Sequence, residues 1–156
     1  MILTEEEFFK LKCGKLNKFD FILEYLNSLE VRWYLGLYSA LYYLGNWQSL
    51  NKVYIVNTHF NKKIKFDNIQ VILFKIPQSY FINKSIIHKN SISYSDYEKT
   101  YLDFVYFHIK GKIGHFQYDL DKLDFNTINL YLKVFNNEIR EYLLITLDKK
   151  YLKNLE

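Results

Sequence analysis

The chain is poor in cysteine, proline, glycine and arginine. Its 156 residues include one Cys, one Pro and five Gly. A lone Cys13 excludes an intrachain disulfide framework and a cysteine-built zinc site. Such sparse cysteine fits a reducing compartment, so a cytoplasmic location is expected. So few Gly and Pro leave no long linker or low-complexity segment. Arg32 and Arg140 are the only arginines, which makes guanidinium forks, the usual readers of phosphate and guanine, nearly absent. A membrane-length apolar run is missing too. The longest uncharged stretch, residues 33–51, is broken by Gly36, Ser39, Gly45, Asn46, Gln48 and Ser49. It is too polar to span a bilayer and reads as a buried helix. The start carries Glu5-Glu6-Glu7, where a signal peptide would be basic.

Catalytic signatures are also missing. No phosphate-binding glycine loop, dinucleotide fingerprint or nucleophile elbow occurs. The histidines, His59, His88, His108 and His115, form no metal-binding pair. His108 reads as a core-edge residue, and His59 and His88 as solvated loop residues. Asp119, Asp121 and Asp124 form a small acidic cluster that fits either Mg²⁺ ligation or, more simply, acids at helix N-termini. The sequence therefore assigns no catalytic residue, no metal ligand and no cofactor, and the expected role is binding rather than catalysis.

Aromatic residues and lysine are abundant. Tyr (15), Phe (13) and Trp (2) make up 19% of the chain. Excess Lys, Asn, Ile and Tyr is also what AT-rich codons produce, so part of this bias carries no functional meaning. The net charge of +4 is uneven: residues 50–115 carry +6, whereas residues 1–49 and 116–156 each carry −1. Lys52, Lys62, Lys63, Lys65 and Lys75 fall on or beside β-like segments. They form a candidate surface for phosphate backbone or an acidic partner. Equally, they can serve solubility and protection of a sheet edge.

Hydrophobic periodicity organises the chain. Thr4-Glu5-Glu6-Glu7 reads as a capping box opening a short helix to about Lys12. A second helix is expected over roughly 20–29, with Ile22, Tyr25, Leu26 and Leu29 on one face. A third covers about 37–44, with Gly45 placed for a left-handed C-cap. Val53–Val56, Ile64–Phe66 and Ile69–Ile76 read as strands, with Asp67-Asn68 as a two-residue turn. Their short connections predict an antiparallel meander. Residues 78–91 read as irregular, and Ile92–Tyr94 as one more edge strand. Ser95-Asp96-Tyr97-Glu98 is a second capping box, with Ser95 and Glu98 satisfying helix amides reciprocally. Its helix should reach about His108. Helices return over the last 40 or so residues. The expected fold is α+β: a small antiparallel sheet of three to four strands, flanked by helices at both ends of the chain and packed by them on one face.

Two segments carry a resemblance. The first is Trp33-Tyr34-Leu35-Gly36-Leu37-Tyr38-Ser39-Ala40-Leu41-Tyr42-Tyr43-Leu44-Gly45. The second is Ser95-Asp96-Tyr97-Glu98-Lys99-Thr100-Tyr101-Leu102-Asp103, and Tyr54–Thr58 lies between them. In this order they resemble the AbiEi-like antitoxin family of type IV toxin–antitoxin systems, also described as predicted transcriptional regulators. The resemblance covers roughly residues 30–110. It implies one domain over 1–156, with a short helical segment (1–30), the region of resemblance (31–110) and C-terminal helices (111–156). It further implies a non-catalytic protein that binds and neutralises a nucleotidyltransferase-like toxin. Only short helices are expected ahead of Trp33, so the complete winged helix that binds promoter DNA in this family is expected to be missing. DNA is therefore the alternative partner, through the Lys-rich 52–89 segment. Trp33, Tyr34, Gly36, Ser39, Gly45, Ser95, Glu98, Lys99, Thr100 and Asp103 are the motif positions, read as mostly structural. Gly36 is expected to permit close approach, Trp33 and Tyr34 to anchor a helix start or form an aromatic contact patch, and Lys99 and Asp103 to pair on the surface.

Overall fold

The computed structural model describes residues 24–28, 31–47, 52–66 and 69–156. The capping box at Thr4–Glu7, the helix to Lys12, Cys13, the turn at Asp67-Asn68, and Ile22 and Leu29 of the second stripe lie outside them. Residues 24–28 are helical.

The sheet has six strands: β1 (Trp33–Leu35), β2 (Lys52–Asn57), β3 (Lys62–Phe66), β4 (Ile69–Lys75), β5 (Ile86–Lys89) and β6 (Ile92–Ser95). Their spatial order is β3-β4-β2-β1-β6-β5. This corrects the expected antiparallel sheet of three to four strands. β2 pairs with β4 in parallel and β1 with β6 in parallel, while β1–β2, β3–β4 and β5–β6 are antiparallel. The expected hairpin between the second and third β segments exists, with Phe66 opposite Ile69. However, β3 does not touch β2. It turns outward to become an edge, and β4 takes the place beside β2 that a meander would have given to β3. β6 is an interior strand rather than an edge, because β5 forms within the stretch expected to be irregular.

Strand alternation supplies two apolar faces. Tyr34, Val56, Ile72 and Phe74 point to one side, into a cluster with Leu102, Phe104, Phe107, Ile128 and Leu143. Leu35, Val53, Ile55, Ile64, Val71 and Leu73 point to the other, against Tyr25 and Leu26. Cover therefore exists on both faces, not on the single face expected.

Beyond residues 24–28, five α-helices occur among the described residues. α1 is Leu37–Tyr43, α2 Tyr97–Ile109, α3 Phe125–Leu132, α4 Asn137–Thr146 and α5 Lys149–Leu152. α2 is the central helix, and its packing on the sheet brings Phe107 to 4.9 Å from the Phe74 ring centroid. α1 ends as the sequence predicts. Gly45 takes φ +81, its amide donates to the Tyr42 carbonyl (3.1 Å), and Asn46 N–H donates to Leu41 O (2.8 Å), the paired bonds of a Schellman cap. Among the described residues no helix is long and apolar enough to cross a membrane.

Candidate functional site

The corner between β1 and α1 sets one side of the buried polar centre. Leu35 is the last β1 residue paired with β2, opposite Ile55. Beyond it, Gly36 N–H donates to Tyr54 O (3.0 Å), and the Ser39 hydroxyl accepts from Tyr54 N–H (2.8 Å). Both main-chain groups that Tyr54 turns toward this corner are thus satisfied as the chain leaves the sheet. Gly36 is required by space: a Cβ there would lie 2.6 Å from Val56 Cγ2. Leu37 follows with φ +52, a left-handed conformation that is uncommon for a branched side chain. Trp33 and Tyr34 belong to β1, not to a helix start. Trp33 is half-buried on the Leu35 side, and Tyr34 is fully buried on the other.

Tyr34 meets the second motif there. Its hydroxyl donates to Asp103 Oδ2 (2.5 Å) and accepts from Lys99 Nζ (2.8 Å). Lys99 Nζ also donates to Asp103 Oδ1. All three residues are 0% exposed, so the expected surface pair is a core ion pair. Its apparent surface character comes from i,i+4 spacing, which says nothing of which helix face meets the sheet. The Lys99 ammonium lies 5.4 Å from the Phe135 ring centroid, where the segment between α3 and α4 closes over it. Burial lowers the Lys99 pKa, and the Asp103 carboxylate opposes that shift. Burial raises Asp103, and Lys99 and the Tyr34 hydroxyl oppose it. Tyr34 is raised well above its ordinary value, first by burial and then by the Asp103 charge.

The start of α2 is displaced by one residue from the expected capping box. Asp96 is the N-cap, and its Oδ1 accepts from Lys99 N–H (2.8 Å). Its Oδ2 accepts from the Tyr131 hydroxyl on α3. Ser95 is the last residue of β6, with its hydroxyl 2.6 Å from Thr100 Oγ1. Thr100 donates to Asp96 O (2.6 Å). Glu98 reaches forward rather than back, accepting from Asp124 N–H (3.2 Å). Ser95, Asp96 and Thr100 therefore weld β6 to α2, and Asp96 was the residue missing from the motif reading.

The acidic cluster divides among structural tasks. Asp119 accepts from Asp121 N–H (3.2 Å), and Asp124 caps α3 through Asn126 N–H (3.1 Å) and the Thr127 hydroxyl (2.8 Å). Asp121 accepts from the Tyr151 hydroxyl (2.5 Å). His108 sits at the end of α2, its Nδ1 3.0 Å from Gly114 O.

The five candidate lysines are all exposed, but they do not form one patch. Gln70 lies across from both Lys52 and Lys65, whereas Lys62 lies opposite Leu73, near Lys75 at the other end of β4. With a rise of about 3.3 Å per residue, the two groups are separated by most of a strand length. Lys62, Lys63 and Lys65 occupy the edge strand β3, where charge also blocks further strand addition.

Lys75 has other company. It shares a groove of about 350 Å³ with Lys110 and Lys112, floored by Asn61, Pro77 and Tyr106. The two added lysines come from the end of α2. There Gly111 (φ +72) donates to His108 O, and Lys112 N–H donates to Phe107 O (2.8 Å), a second Schellman cap that folds Lys112 back. Lys110 pairs with Glu138 at 3.2 Å. Sequence reading confined the basic surface to 52–89 and missed both; the glycine break at 111 marks the helix end but not what it faces. A second hollow, beside Trp47, spends its polar groups internally: Lys122 donates to Asn46, Tyr97 to Asp119 O and Tyr118 to Tyr97 O.

No protein-family model, curated protein or solved structure matches this chain.

Proposed function

We propose that this protein acts by binding, as a cytoplasmic antitoxin-type partner of a nucleotidyltransferase-like toxin. One observation carries the reading. Tyr34, from one segment of the AbiEi-like resemblance, hydrogen-bonds Lys99 and Asp103, from the other, so the two segments work as one unit. That unit is sealed from solvent. Its charged groups hold β1 against α2 and cannot reach a partner or substrate. Contact with a toxin falls to the surface, where Leu130, Leu144 and Ile145 of the C-terminal helices, and Val134 between α3 and α4, are exposed. Exposed apolar side chains of this kind are suited to protein contacts. Co-expression with the product of the adjacent gene tests the proposal. The expected result is a co-purifying complex and restored growth; separate elution together with undiminished toxicity would overturn it.

A second reading, nucleic-acid binding, is favoured by the edge lysines of β3 and by Lys75. It predicts binding that weakens steeply with salt.

A further inference from the structure

We infer that the groove between the end of β4 and the end of α2 is a nucleotide site, with the phosphate held by Lys75 and Lys112 and the base laid against Pro77 and Tyr106. This deepens the nucleic-acid reading and is independent of the toxin reading. Three lysines line the groove from two elements that are remote in sequence. Among the described residues, neither Lys75 nor Lys112 has a side-chain hydrogen bond or ion pair, and Lys110 alone is neutralised, by Glu138. Cations at the end of a helix also complement its dipole. That accounts for Lys110 and Lys112 near the end of α2. It does not account for Lys75, which arrives from the sheet.

The groove is suited to a nucleotide in three respects. Its size, about 350 Å³, lies within the range of small-molecule sites. Its charge is positive after Glu138 is counted. Its remaining wall is mostly apolar, formed by Ile76, Pro77, Phe107 and the half-buried Tyr106, whose ring also lies 5.8 Å from the Lys110 ammonium, and such a wall suits a planar base better than a bare anion would require. Asn61 fixes the main chain beside it, its Oδ1 accepting from Lys75 N–H at 3.0 Å.

Isothermal titration of the full chain with AMP, ATP, pyrophosphate and a short single-stranded oligonucleotide tests this. Free-nucleotide binding identifies a mononucleotide as the ligand; oligonucleotide binding alone identifies a strand. In either case Lys75→Ala and Lys112→Ala should each weaken binding by about tenfold. Both side chains are exposed, so thermal unfolding should stay unchanged. Glu138→Gln should tighten binding by releasing Lys110. Three results would overturn the site: no binding of any nucleotide probe, binding indifferent to both lysine variants, or pyrophosphate binding as tightly as ATP. Oligonucleotide binding lost in a Lys62→Ala/Lys63→Ala/Lys65→Ala variant, but kept in Lys75→Ala and Lys112→Ala, would remove the groove and leave the nucleic-acid reading standing.

Discussion

Lys99 and Asp103 stand one turn apart on α2 and form an ion pair with no exposure to solvent. The pair is completed from another element, since the Tyr34 hydroxyl bridges both charges. Such a cluster is costly to desolvate, and its value lies in leaving neither charge without a partner. Replacing Lys99 with Met strands the carboxylate. The expected loss is about 3–5 kcal/mol, read as a lower urea midpoint at unchanged m-value. Adding Asp103→Leu to Lys99→Met should restore part of that stability. If the double variant is as unstable as the sum of the two singles, the pair is not coupled.

Tyr34→Phe isolates the bridge. The ring stays in the core and only the hydroxyl is lost, so packing is preserved. Asp103 Oδ2 then lacks its donor, and a loss of about 1–3 kcal/mol is expected. The same substitution at Tyr42, which is exposed, should be silent. Equal effects at the two positions would contradict the buried network.

Gly36→Ala tests the close approach between the β1–α1 corner and β2. The new Cβ would sit 2.6 Å from Val56 Cγ2, which forces the strand or the corner to shift, at about 1–3 kcal/mol. Val56→Ala clears that space. In the double variant the Gly36→Ala penalty should shrink markedly, measured as a coupling energy in a four-member thermodynamic cycle. Absence of coupling would contradict the close approach, since Gly36 has an extended backbone that any residue can adopt.

Alkaline pH should unfold the protein through its buried tyrosines. Burial is the largest cause raising Tyr34, Tyr101 and Tyr118 above the ordinary tyrosine value, and it pushes half-buried Tyr43 up to about 12. A raised folded-state value favours the protonated form. The associated stability is complete below the unfolded value of about 10, and it falls as pH rises beyond that toward the folded-state values. Tyrosinate absorbance should therefore rise in two stages, exposed hydroxyls first and the buried set only with loss of near-UV circular dichroism. A single early rise with the fold intact would show that the buried hydroxyls reach solvent.

Local features of the chain were legible, whereas long-range partners were not. Gly45 and Gly36 were identified correctly because a C-cap and a close approach are demands on one residue. β2, β3 and β4 were located because β-branched alternation is local. Their arrangement was missed because nothing within Val53–Ile76 states that β4, rather than β3, lies beside β2. Trp33–Leu35 was read into a helix because three residues show no period. Lys99 and Asp103 looked like a surface pair because charge usually marks the solvent face; only the approach of Tyr34 from β1 makes their burial tolerable. The groove depends on Phe107 settling on Phe74, and no motif records that contact.

Asp96→Ala distinguishes the observed start of α2 from the one expected by motif. A capping box led by Ser95 would make Ser95 the sensitive position and Asp96 a minor one. In the structure Asp96 caps Lys99 N–H and also accepts from the Tyr131 hydroxyl on α3. Its loss therefore removes a cap worth about 1–2 kcal/mol and leaves the Tyr131 hydroxyl without its acceptor. Asp96→Asn keeps a capping oxygen and should recover most of the helix while weakening the α3 contact. Glu98→Ala should cost less than Asp96→Ala, because that side chain reaches Asp124 N–H near the surface rather than the N-cap. Chemical denaturation of the three variants ranks them directly. An order in which Glu98→Ala is worse than Asp96→Ala would place the helix start back at Ser95.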